Sequence, residues 1–156
     1  MKYTQLTKEQ FEELHEEFAL FLAAQSIDVK EWEKIKKEKP TLADKELNAF
    51  SDFVWEKVLD KAKYLDHFSK DTLNLFKCSD KDLQRIVVKV KKEGINLLEE
   101  KDFNWFVDHS KDSSIEYLKG KKVYSKDKKL EIFELIQQGG VVSDGALFEA
   151  IYKIIA

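Results

Sequence analysis

The densest concentration of chemically capable side chains is the stretch LKGKKVYSKDKK, residues 118–129, with six lysines and one aspartate. Lys119, Lys121, Lys122, Lys126, Lys128 and Lys129 form a set of ammonium groups suited to phosphates. Tyr117 and Tyr124 offer rings on which bases of single-stranded nucleic acid can stack. Gly120-Lys121 has the look of the end of a phosphate-binding loop. That motif, however, needs a Gly five residues earlier and a Ser or Thr after the Lys. Ile115 and Lys122 stand there instead, so no such loop is present. Two readings are left: a loose anion or nucleic-acid contact through the six lysines, or a solvated basic edge whose lysines discourage edge-to-edge pairing of strands. Arg85 is the one arginine among 27 basic residues. A domain that reads bases relies on the planar arginine fork, so this composition argues against sequence-specific recognition.

Other candidates are weaker. Glu12 and His15 form a single Glu-x-x-His, whose members share a helix face, but a di-metal site needs a second copy of the motif and none occurs. His67 and His109 are distant in sequence, and no metal site or cofactor is expected. The lone Cys78 excludes an intramolecular disulfide. It shares a strand face with Phe76 and reads as a small buried apolar group rather than a nucleophile. The Ser143-Asp144-Gly145 triplet is expected to cap a helix, since Asp144 would oppose a bound anion. Trp32, Trp55 and Trp105 are expected in or near the core.

The elements that must position these residues carry clear punctuation. Thr7 and Gln10 form a capping box, with Leu6 and Phe11 as a hydrophobic staple; Asp28 and Glu31, with Ile27 and Trp32, repeat the arrangement. Phe11, Leu14, Phe18, Phe21 and Leu22 follow helical spacing. Pro40 stops the second helix, and Thr41 opens a long one whose stripe is Leu47, Phe50, Val54, Val58, Ala62 and Leu65. Trp55, off that stripe beside Val54 and Phe53, gives the helix a second apolar face.

Farther along, 72–78 and 83–90 read as a hairpin, the β-branched run IVVKV favouring strand. Residues 99–109 read as a helix through Phe103, Phe106 and Val107, and 115–124 as extended. Residues 130–138 fit a helix ended by Gly139 or, by alternation, a strand. A last helix carries Leu147, Ile151 and Ile154. The fold class is α+β: a helical N-terminal half of two to three helices, about 1–68, packed with a small sheet and C-terminal helices, about 69–156, as a single domain 1–156.

The totals agree. The chain has 156 residues, 12% aromatic content and 37% charged residues that nearly cancel to −3, which excludes a disordered chain and suits a soluble surface. Residues 1–68 hold 11 lysines against 15 acids. No signal-peptide-like run or membrane span is read, so a cytoplasmic protein is expected.

Read together, LTKEQFEELHEEF, FSDFVWEKVLDKAKYL, IVVKV and LIQQGGVV resemble an uncharacterised family of small Bacteroidetes proteins, nearly end to end. The resemblance implies a bacterial protein and no assigned activity. Three functions are open: a non-enzymatic protein acting by protein–protein contact or as a homo-oligomer, a phosphate or nucleic-acid binding module using residues 118–129, and a small enzyme with a site assembled from scattered acids, histidines and Cys78. The first is preferred.

Overall fold

The computed structural model describes residues 1–156. Its fold is α+β, with seven helices and a five-stranded antiparallel sheet. The chain divides into two compact units, residues 1–60 and 61–156.

The first unit contains α1 (Lys8–Glu13), α2 (His15–Ala23), α3 (Val29–Glu38) and α4 (Pro40–Lys61). The Thr7 box forms in full, and Asp28 forms the N-cap half of its box. The Thr7 hydroxyl accepts from the Gln10 backbone N–H while the Gln10 side chain accepts from that of Thr7, and Asp28 accepts from Glu31 N–H at 2.8 Å. Pro40 ends one helix and is also the first residue of the next, where its missing N–H costs nothing. Phe50, fully buried on α4, is the hub. Its ring centroid lies 5.0 Å from Phe18, 5.4 Å from Phe21 and 6.1 Å from Phe11, and Trp32 meets Phe18 edge-on at 5.3 Å. Such contacts add about 0.5–1.5 kcal/mol each beyond simple burial. The N-terminal residues are tied to α4: Tyr3 N–H donates to Asp52 and Leu6 N–H to the buried Ser51 hydroxyl.

The long helix is shorter than its stripe suggested. It stops at Lys61, and Leu65 lies instead in β1 (Tyr64–Phe68), so residues 64–68 are strand and not helix. Val58 is 39% exposed, while its neighbour Leu59 takes the buried position.

The second unit continues with β2 (Thr72–Cys78), β3 (Asp82–Val90), α5 (Glu100–Asp108), β4 (Ile115–Val123), α6 (Lys128–Gln137), β5 (Val141–Ser143) and α7 (Ala146–Ile155). Strand order is β4-β3-β2-β1-β5. In the central pair, Leu73 faces Val88 and Leu75 faces Ile86. With Val90 and Ile115 these residues form one apolar face, on which Phe106 of α5 and Phe148 and Ile151 of α7 close the core. Of the apolar residues of α5, Phe106 and Phe103 make the contact, while Val107 is 52% exposed. On the opposite face lie Phe76, Cys78 and Leu83, with α6 beside them.

Residues 130–138 are helical, and the stop is complete. Gly139 has φ 117°, its N–H donates to Ile136 O, and Gly140 N–H donates to Leu135 O. Ser143 is not the cap of α7. It pairs with Tyr64 in β5, and the helix begins after Gly145, with Asp144 Oδ1 accepting from Ala146 N–H at 2.9 Å. Gly145 has φ 79°, and a Cβ there would lie 2.4 Å from the Tyr64 ring.

Two left-handed positions therefore behave oppositely. Ser26, between α2 and α3, has φ 63° with no glycine to relieve it. Ser26→Gly should raise stability by up to about 1 kcal/mol, while Gly145→Ala should cost more than about 2 kcal/mol. Urea titration followed by tryptophan fluorescence measures the first and circular dichroism the second; opposite signs are expected.

Candidate functional site

The lysine-rich stretch is divided among three pieces of structure. Lys119, Lys121 and Lys122 are on β4, Lys126 is in the loop after it, and Lys128 and Lys129 open α6. Alternation along β4 places Lys119 and Lys121 opposite Ile86 and Gln84, on the face of α5 and α7. Lys122 goes to the other face with Leu118 and Gly120. β4 is an end strand of the sheet, so one of its edges has no neighbouring strand. It pairs with β3 in an unbroken register from Asp82↔Val123 to Val90↔Ile115, with no bulge.

The lysines are not equivalent. Lys122 Nζ is 2.9 Å from Glu131 Oε1, Lys126 Nζ 2.6 Å from Glu134 Oε1 and Lys128 Nζ 3.4 Å from Asp80 Oδ1. Lys119 stands 5.5 Å over the Tyr152 ring of α7, and neither it nor Lys121 is ion-paired. Pairs exposed on both sides add little stability, but Glu131 is different because it is buried. Burial works to raise its carboxyl; hydrogen bonds from Lys122 Nζ and from the Ser125 hydroxyl at 2.7 Å outweigh that and hold it below the usual carboxylate range. The tyrosine rings are not a free stacking platform. Tyr117 packs against the core and donates to Ser110 O, and Tyr124 donates to Ser79 O at 2.7 Å.

Sequence reading singled out the lysines and missed the acids that face them. Glu131 lies nine residues beyond Lys122 and Asp80 lies 48 before Lys128, separations at which no local spacing rule operates.

The other candidates are dispersed. His15 Nδ1 lies 2.9 Å from the Glu12 backbone oxygen, His67 packs against Gly139, and His109 stacks on Trp105 at 4.9 Å. No three His, Cys, Asp or Glu side chains come together in a way that could hold a metal ion. Cys78 is buried, and its burial pushes the thiol up to about 11, with Lys128 opposing only in small part. At neutral pH this lowers the thiolate fraction about a hundredfold against an ordinary cysteine. A disulfide reagent such as Ellman's should accordingly label Cys78 at least about tenfold more slowly in the native protein than in denaturant; equal rates would show an accessible, activated thiol.

No helix is long and apolar enough to cross a membrane. No curated protein and no solved structure matches the chain significantly. The model of a family of unknown function, DUF6495, matches residues 1–156, and with its whole length covered the chain belongs to that family.

Proposed function

We propose that this chain is a non-enzymatic protein-interaction module of the bacterial cytoplasm, and that the outer edge of β4 receives an extended, acidic segment of a partner as an added strand. Its 156 residues act as one functional domain. The observation that carries the reading is the character of that edge: nine residues long, unbulged, and set with lysine on both faces. An edge strand offers a row of N–H and C=O groups to any other strand, and proteins blunt such edges with short length, bulges or proline. β4 has none of these devices, only charge. Lysines repel a second copy of the same basic strand, so homotypic edge pairing is disfavoured. A partner whose alternate residues are acidic gains the ladder and meets Lys119 and Lys121, the two lysines without a carboxylate of their own.

The second unit supports this polarity, with 18 lysines and arginines against 16 acids, net +2 in a chain of net −3. The buried, protonated Cys78 suits a reducing compartment. The runner-up is a phosphate or nucleic-acid contact through the same six lysines. Lys122, Lys126 and Lys128 already neutralise acids of the protein, which weakens the field such a contact needs.

A fluorescein-labelled nine-residue peptide alternating Glu and Val tests the proposal by anisotropy. It should bind the protein, and the double substitution Lys119→Glu with Lys121→Glu should weaken it about tenfold or more. N-methylation at alternate peptide residues, which removes ladder donors and leaves charge unchanged, should abolish binding. If the N-methylated peptide binds as well, strand addition is wrong. If a single-stranded oligonucleotide binds more tightly than the peptide and loses affinity steeply with salt, the nucleic-acid reading replaces it.

A further inference from the structure

The sheet face opposite α5 and α7 is only partly covered by α6, and a groove of about 440 Å³ opens between them. That volume falls in the range of small-molecule sites. Its floor is apolar, formed by Phe76, Leu83, Val87 and Leu118, and Leu135 of α6 forms one wall. Two cations extend side chains on this face, Arg85 and Lys122, against two carboxylates, Glu131 and Glu134; Lys119 and Lys121 border the groove along β4, but their side chains lie on the face of α7. Both carboxylates are already ion-paired, Glu131 with Lys122 and Glu134 with Lys126.

Arg85 is the exception. The chain's one arginine lies on β3 with its Nε and Nη2 donating to Asn74 Oδ1 and its guanidinium 5.5 Å over the Phe76 ring. Neither partner carries a charge. Directly across the ladder from Arg85 stands Gly120, the one residue of β4 without a side chain. Nothing in the protein requires glycine there: its φ is not left-handed and a Cβ would meet no atom within 4 Å. Glycine inside a strand weakens it, and commonly marks a place where something else approaches the backbone closely. A further polar atom is on offer in the groove wall, since Glu131 Oε2 is buried without a protein hydrogen-bond donor.

We infer that this groove binds a small carboxylate with an apolar ring or chain, its anionic group meeting Arg85 beside Gly120 and its apolar body lying on Phe76, Leu83 and Val87. The assignment is independent of what docks on the outer edge of β4. Charge decides the anion: after the internal pairs are set aside, the uncompensated group on the groove face is the Arg85 guanidinium. The planar guanidinium, held in place by Asn74 and Phe76, matches a carboxylate with two parallel hydrogen bonds. Dispersion and burial against five apolar side chains supply the rest.

The single arginine makes the test direct, because its Nε–H gives one resonance in a ¹⁵N spectrum. Indole-3-acetate, an aromatic carboxylate, is titrated into ¹⁵N-labelled protein up to about 10 mM. Saturable shifts at the Arg85 Nε–H and the Gly120 amide are expected. The neutral analogue indole-3-ethanol should bind about tenfold or more weakly, and Arg85→Gln should weaken indole-3-acetate to the same degree. Gly120→Leu, which fills the groove from a position with free space, should abolish the shifts while the rest of the spectrum stays that of the folded protein. Absence of shifts at Arg85 and Gly120 overturns the inference. So do equal affinities for the two indoles, or unchanged binding in Gly120→Leu.

Discussion

The register between β2 and β3 settles most of what the second unit can be. Pairing Leu73 with Val88 and Leu75 with Ile86 sends the fully buried aliphatic residues to one face, where α5 and α7 cover them. A shift of β3 by one residue would turn that strand over and place Arg85 and Lys89 against the core. The hydrophobic penalty of that exchange is what makes the register unique. Everything on the opposite face is then a consequence: Arg85, Val87, Leu118 and Lys122 must lie together, with α6 beside them.

Charge is arranged with equal economy around α6. Its acids Glu131 and Glu134 take up Lys122 and Lys126, so a strip that is strongly basic as text is only moderately basic as surface. Glu131 shows the balance of terms. Burial alone would favour its neutral form, and two donors at hydrogen-bond distance keep it ionised. As a group whose carboxyl is held low in the folded state, it contributes stability at neutral pH that is lost as the pH falls through its folded value.

The first unit rests on a different device. Its helices are short apart from α4, and neither α1 nor α3 buries any residue completely. Their cohesion comes from rings meeting Phe50, and from the N-terminal segment hydrogen-bonded along α4 through Asp52, Ser51 and Glu56. Helices this short are marginal alone, so tertiary contact and capping must act together.

The amino-acid sequence by itself determined the local elements and the class. The capping box at Thr7, the Asp28 cap and the β-branched run of β3 depend on residues within about five positions of one another, and each formed as read. The overlapping helix and strand signals over 130–138 resolved to a helix stopped at Gly139. Elsewhere, overlapping local signals misled. The helical spacing that ran on to Leu65 was cut at Lys61, because Leu65 is worth more in the sheet, paired across from Phe76. Ser143 was drawn into β5 by Tyr64, and the next helix began at a glycine instead. Only the tertiary structure decided that β4 is an edge, that Glu131 sits under Lys122, and that Arg85 and Gly120 stand side by side 35 residues apart. Those relations come from strand order and burial across long separations, and no periodicity in one chain encodes which partner a strand will find.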